Sequence, residues 1–337
     1  MLDHSDSSIR AGRRLAHSED NTRLMARVAR MYHERGLTQS QIASDLHISQ
    51  PRVSRLLKSA TELGIIRTIV TPPPGVHTDL EDALARSYGP LGLVDAVVVD
   101  TDDPGVDPTP SLGAAAAQYL ETTLLSNERI GISSWSATLL AAVEAMRPAR
   151  VPTAETVVQV VGGLGDPRVQ MQASRLLGLL ANCTGATPIL MPAPGMLRSA
   201  EARDSLMLDP TVSTVIEEWS SLSVVLVGIG SLEGSQLLRA SGNALLESDV
   251  ELLRSRGAVG DVCLRFFDAA GVPVDSAVDE RVVGISRDAL LRIPRRIGVA
   301  GGQNKHLAIR GALLGGWINV LITDLAEAER LVADAPA

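Results

Sequence analysis

An N-terminal all-α head carrying a winged helix-turn-helix, followed by a larger α/β domain with a largely parallel sheet, is the fold class this sequence predicts. Three observations point to it. The chain has 337 residues, too many for one ordinary core. Its charge is lopsided: residues 1–70 hold 11 Arg and Lys against 7 Asp and Glu, and the remainder holds 20 against 32. The apolar pattern also changes, from helical spacing before residue 70 to short β-branched runs alternating with helical stretches after about residue 90. A basic head on an acidic body places any polyanionic partner at the head.

Composition excludes several classes. Aromatic residues make up 2% of the chain, so stacking of sugars or bases is not its main recognition chemistry. No apolar run approaches the length of a membrane span and no cleavable signal peptide opens the chain, so a cytoplasmic protein without a membrane partner is expected. Cys183 and Cys263 lie apart in apolar surroundings, which suits buried thiols better than a disulfide or a metal site.

In the head, residues 1–19 are polar and are expected to form a flexible arm. Residues 20–70 are expected to form the DNA-binding domain. Leu24, Val28, Met31 and Tyr32 recur at helical spacing until Gly36. Thr38 followed by Gln41 has the capping-box pattern, so a second, short helix starts there with Ile42, Ala43 and Leu46 inward. Ser49 as N-cap and Pro51 in the first turn open a third helix. Its buried face is Val53, Leu56, Leu57, Ala60 and Leu63, with Arg52, Arg55 and Lys58 opposite, and Gly64 ends it. "IIRTIV" (65–70) reads as a short strand.

This is the helix-turn-helix plan, whose second helix lies in a major groove of double-stranded DNA. Gln50 and Arg52 are placed to read base edges through bidentate contacts. Ser49, Ser54, Arg55 and Lys58 are placed to hold phosphates. A plain helical bundle with a solvated basic face is the weaker reading, because the helices that carry the basic excess have the right lengths and caps. Two-fold related heads would demand a pseudo-palindromic operator.

"TPPPGVHTD" (71–79) is a Pro-rich linker, and residues 80–337 form the second domain. After one helix, "DLEDALARSYG", strand-like runs such as "LVDAVVVD", "ERIGIS", "SVVLVGIGS" and "WINVLITD" alternate with helical segments. Continuous apolar strands suit a parallel sheet covered on both faces. "GDVCLRFFDAAGVPV" instead suggests an antiparallel hairpin turning at Asp268–Gly271.

Ligands of such sheets sit at the carboxyl ends of the strands. There the chain places Ser133, Ser134, Ser136 and Thr138 in "GISSWSAT", Gly163 in "GGLGD", Gly228 and Gly230 in "GIGS", and Gly302, Asn304 and Lys305 opening a helix in "GGQNK". Lys305 is the only lysine after Lys58, a compact cation suited to an anion. Four converging strand ends indicate a small polar ligand, anionic in character. Asp261 and Asp324 either bond sugar hydroxyls or simply bound strands.

Cofactor and catalytic motifs are missing from these loops. There is no GxxxxGK[ST], "GIGSLEG" does not have the GxGxxG spacing, and no GxSxG elbow occurs. His306, alone among the histidines in this region, reads as a helix-surface residue. No cofactor, metal ligand or catalytic residue is therefore expected, and the protein does not read as an enzyme.

The head segment "MYHERGLTQSQIASDLHISQPRVSRLLKSATELGIIR" resembles the N-terminal region of the SorC (DeoR-like sugar-binding) transcriptional regulators. "VGGLG", "LMPAPG", "VGIGS", "GAVGDVCLRFFDAAG", "GVAGGQNKHLAIRGALLGG" and "INVLITD" continue the resemblance in order, so it spans about residues 20–332. It implies a regulator of carbohydrate or polyol catabolism whose operator binding responds to a phosphorylated sugar or polyol. It also implies a homo-oligomer, dimeric or tetrameric, and a C-terminal fold shared with sugar-phosphate isomerases and glucosamine-phosphate deaminases.

Carried over by position, Lys305 matches the lysine that meets effector phosphate, Ser134, Ser136 and Thr138 the strand-end hydroxyl loop, and Gln172 and Asp261 positions that contact the sugar. Many members read GxSWGxT where this chain has Gly131 to Thr138 as "GISSWSAT", with a serine in place of a loop glycine. "SSWSATLLA" is similar to the subgroup regulating polyols such as erythritol. The alternative is an isomerase- or deaminase-type enzyme fused to a DNA-binding head, but the glycine loops show no acid/base pair to support it.

Overall fold

The capping box read at Thr38 is formed. Thr38 Oγ1 accepts the Gln41 N–H at 3.3 Å, and the Gln41 side chain accepts the Thr38 N–H at 2.9 Å. The computed structural model describes residues 21–66, 73, 75–101, 107–243 and 245–336. The chain divides into two units, Met1–Thr71 and Pro72–Ala337. The arm at 1–19, most of the strand read at 65–70 with the wing it would supply, and much of the linker lie outside the described residues.

In the head, α1 (21–33), α2 (Gln39–Asp45) and α3 (Gln50–Glu62) pack around Met25, Val28, Ile42, Val53, Leu56 and Ala60. Ser49 is the N-cap of α3 and Pro51 lies in its first turn, but the Ser49 hydroxyl makes no capping bond. Two positions depart from the expected inward face. Tyr32 is 38% exposed at the margin of the α1 stripe, which leaves its hydroxyl in water, and its ring stands edge-on to His33. Leu63 is 64% exposed because it follows the last helical residue, where the chain leaves the buried stripe.

Among the described residues the second unit contains ten strands: β1 (Asp95–Val99), β2 (Glu128–Ile132), β3 (Ala154–Gln159), β4 (Thr187–Ile189), β5 (Val224–Gly228), β6 (Gly230–Ser231), β7 (Ala258–Val262), β8 (Arg265–Asp268), β9 (Arg295–Val299) and β10 (Val320–Asp324). Seven of them form one sheet in the order β1-β10-β9-β5-β2-β3-β4, with every pairing parallel. Both faces are covered, as the continuous apolar runs require. Val224 and Leu226 pack with Ile130, Val157 and Ile297 under the helices Thr109–Thr123, Ala137–Ala145 and Pro167–Thr184, while Val225 and Val227 face the cluster of Trp219, Leu321 and Trp317. Each such side chain contributes about 1.5–3 kcal/mol on full burial. No helix among the described residues is long and apolar enough to cross a membrane.

The remaining strands form an antiparallel sheet in the order β6-β7-β8. Here the structure corrects the sequence. The β7–β8 hairpin turns at Cys263–Leu264, not at Asp268–Gly271. Cys263 and Leu264 have φ of 55° and 62°, the left-handed region that a two-residue hairpin turn demands and that Asn-Gly usually supplies. Asp261 Oδ2 holds this turn by accepting the Leu264 N–H at 2.9 Å. Asp268–Gly271 forms a second turn, closed by the Gly271 N–H on the Asp268 carbonyl at 2.9 Å, which returns the chain along β8.

Candidate functional site

β9, β5, β2 and β3 are consecutive in the sheet, so the four glycine- and hydroxyl-rich loops leave neighbouring carboxyl ends. A cavity of about 210 Å³ opens there. Ser133, Ser134, Ser136 and Thr138 line it from the loop after β2, Gly228 and Gly230 from the β5–β6 step, Asp261 from β7, and Lys305 from the loop after β9. Five other residues singled out in the sequence, Asp324 among them, are not on this wall. Gly163 is buried and its carbonyl accepts the Gln170 amide at 2.8 Å. Gln172 stands exposed on the helix Pro167–Thr184. The Gly302 N–H donates to Asp324 Oδ2 at 2.6 Å. Asn304 is exposed in the 3-10 turn Gln303–Lys305, which precedes the helix His306–Leu314 rather than belonging to its first turn.

The hydroxyls are not equivalent. Ser134 donates to the Val161 carbonyl at 2.7 Å, which commits its proton to the fold. Ser136 accepts the Leu139 N–H at 3.3 Å as N-cap of Ala137–Ala145, an arrangement that leaves its proton to donate. Between them, the Trp135 indole donates to the Gly162 carbonyl at 2.9 Å, tying the β2 loop to the β3 loop. Gly230 is required by close approach: a Cβ there would come within 2.0 Å of Asp261 Oδ1.

Two charges face the cavity. Burial pushes the Asp261 carboxyl up to about 6, against the Leu264 N–H and the Lys305 charge, which favour its ionised form. Burial likewise draws the Lys305 ammonium below the usual lysine range, opposed by the carboxylates of Asp261 and Asp107. Cys263 is a free buried thiol on the same wall, pushed well above the usual thiol range by burial, which leaves it a poor nucleophile.

Sequence reading missed Thr109, Trp135, Ser231 and Ser235, which also line the cavity. Ser235 donates to the Trp135 carbonyl at 3.2 Å and caps the helix Gln236–Ala240. Its position as a helix-opening serine is the available signal, and the glycine spacing of "GIGSLEGS" does not show it. Thr109 opens the helix Thr109–Thr123 among prolines. His306 is not the surface residue the sequence suggested. Its Nδ1 lies 2.9 Å from Glu327 Oε1 and its Nε2 lies 3.0 Å from Asp334 Oδ2, because the C-terminal helix Leu325–Ala333 and its exit bring both carboxylates to it. Asp324 caps that helix by accepting the Glu327 N–H at 3.0 Å. Among the described residues no cluster of His, Cys, Asp and Glu could hold a metal ion.

In the head, Ser49, Gln50, Arg52, Ser54, Arg55 and Lys58 are all exposed on α3 and its cap. Lys58 Nζ lies 3.9 Å from Glu62 Oε1 with both side chains largely in water, a pairing too weak to neutralise it.

A helix-turn-helix unit and an α/β unit with a polar strand-end cavity define a DNA-binding protein of the ligand-responsive class. Residues 16–67 match the family model of a helix-turn-helix domain, and residues 73–333 match that of a sugar-binding domain. The chain is similar to the deoxyribonucleoside regulator of Bacillus subtilis, 33% identical over 318 residues that cover 94% of this chain and 99% of the relative. It is also similar to the sorbitol operon regulator of Klebsiella pneumoniae, 31% identical over 323 residues that cover 94% and 99%. The crystal structure of the full-length regulator SorC from Klebsiella pneumoniae superposes with a TM-score of 0.69 at 29% identity, covering 92% of this chain and 98% of that one. The chain belongs to the SorC family of sugar-binding transcriptional regulators.

Proposed function

We propose that the cavity binds a phosphorylated sugar or polyol and that its occupancy controls binding of the head to a pseudo-palindromic operator. The carrying observation is that Lys305 and Asp261 share one small cavity with several hydroxyls. A lysine supplies a point charge for phosphate, and a carboxylate with serine hydroxyls suits the polyhydroxy part. Residues 20–70 would read DNA, with Gln50 and Arg52 at base edges and Ser49, Ser54, Arg55 and Lys58 on phosphates. Residues 80–337 would bind the effector and hold a dimer or tetramer together. The parallel sheet with its strand-end cavity supports kinship with the sugar-phosphate isomerase and glucosamine-phosphate deaminase fold. A cytoplasmic regulator of carbohydrate or polyol genes, without catalysis, accords with relatives that are regulators. Those relatives favour a regulator over an isomerase or deaminase fused to a DNA-binding head.

The test is a thermal-shift screen of sugars and polyols with and without phosphate, followed by operator binding in the presence of each hit. Phosphorylated members should raise the melting temperature and change operator affinity. Equal effects from the unphosphorylated members, or none from any phosphorylated one, would overturn the reading.

A further inference from the structure

A second cavity, about 400 Å³, adjoins the first. Ser231, Gly234, Leu238, Asp261 and Leu264 line both, so the two cavities adjoin along these residues. Lys305 lines only the first. A ligand anchored at Lys305 and long enough to extend past Asp261 would reach toward the second chamber. The first cavity alone falls below the range of about 300–1,000 Å³ common for ligand pockets, whereas the two together fall inside it.

The chemistry of the second chamber decides what that far end is. Leu232, Leu245, Val250 and Phe266 join the shared Leu238 and Leu264 as its apolar residues, beside the exposed side chains of Glu233, Arg239, Glu247 and Arg254. Its charged residues sum to no positive charge: Arg239 and Arg254 stand against Glu233, Glu247 and the shared Asp261. Arg239 Nη1 is already occupied, donating to the carbonyls of Glu233 at 2.7 Å and Gly234 at 2.6 Å. A second phosphate would meet no net positive charge there, and an uncharged apolar group would meet apolar walls.

We propose that this chamber is a subsite for an apolar substituent, aryl or alkyl, carried by the phosphorylated sugar or polyol at the end remote from its phosphate. The effector would then be a phosphorylated glycoside or ether rather than a bare sugar phosphate. This rests on the sugar-phosphate reading of the first cavity and adds the aglycone to it.

The test is calorimetric titration of the full chain with matched pairs: hexose, pentose and pentitol monophosphates, and the phenyl glycoside or phenyl ether of each. At least one phenyl compound should bind about tenfold or more tightly than its parent, because its ring leaves water in the second chamber. Val250 and Leu245 are half-buried and line only the second chamber. Val250→Asp should erase the phenyl advantage, and Leu245→Asp gives the same readout if the first variant does not fold. Parents that bind as tightly as their phenyl partners would overturn the subsite and leave the sugar-phosphate reading standing. A phenyl advantage that survives both substitutions would place the ring elsewhere and equally overturn it. Failure of every phosphorylated compound to bind would remove the underlying reading and this proposal together.

Discussion

Lys305 and Asp261 line one cavity, and each opposes the shift that burial imposes on the other. The site thus holds a cation and an acid that are both under-solvated before any ligand arrives. Burying two such groups side by side carries a cost to the fold.

The cost at Asp261 makes a stability prediction with a definite sign. Its carboxyl titrates at about 6 in the fold, above the ordinary value of about 3.9. The folded state therefore holds the proton longer than the unfolded chain. The contribution is fully present below about pH 4 and is lost as pH rises through 6, on the order of 2–3 kcal/mol in all. Asp261→Asn keeps an oxygen for the Leu264 N–H and removes the titration. Urea denaturation should find variant and wild type close at pH 4 and the variant more stable at pH 7. A constant difference across that window would contradict the assignment.

For Lys305, replacement by alanine should weaken effector binding by about one to two orders of magnitude, the worth of a charge-assisted contact of roughly 1.5–3 kcal/mol. Operator affinity without effector should stay nearly unchanged. Lys305→Arg should recover only part of the loss, since a planar fork does not reproduce an end-on ammonium. Calorimetry with the effector from the screen reads all three, and wild-type affinity in Lys305→Ala would remove the residue from the site.

Gly230 gives a structural route to the same chemistry. A methyl there would displace Asp261 Oδ1, 2.0 Å away, at a cost of about 1–3 kcal/mol in folding. Gly230→Ala should lower effector affinity through Asp261. Combined with Asp261→Ala it should lose little further affinity, because the two changes act on one carboxylate. Additive losses in this double-mutant cycle would show that Gly230 acts independently.

In the head, Arg52→Ala is expected to cost about 1–3 kcal/mol on a selected operator and to relax base preference, whereas Lys58→Ala should weaken all DNA alike and lower the salt slope by about one. Fluorescence anisotropy on cognate and scrambled duplexes at several salt concentrations separates the two. Equal losses on both duplexes for Arg52→Ala would make it a phosphate contact.

The head's caps and the parallel sheet were legible because they rest on local signals: Thr38 with Gln41, Pro51 after Ser49, and apolar runs too continuous for a half-exposed sheet. The hairpin turn was not. Cys263 and Leu264 adopt positive φ without being Gly or Asn, and the tertiary bond from Asp261 that supports them leaves no local mark, while "DAAG" nearby imitates a turn and is one. The strand-end rule pointed to four loops, of which those after β2, β5 and β9 line the cavity, and it could not tell lining from supporting residues. Ser134 and Gly163 look alike in sequence, yet one reaches the cavity and the other serves as a carbonyl for Gln170. The partners of His306 are not legible in the sequence because Glu327 and Asp334 lie 21 and 28 residues further along the chain.

The place of β1 has a consequence for synthesis. The first strand of the sheet to be made is paired with the last, β10, through Asp95↔Val320 and its neighbours. On a ribosome adding about 5–20 residues per second, at least about ten seconds separate the two. During that interval α1, α2 and α3 are complete, whereas the sheet that carries the cavity still lacks a member. A newborn chain thus possesses its DNA-facing surface before it possesses the means to be governed, and truncation between the end of α3 and β10 would leave it in that state.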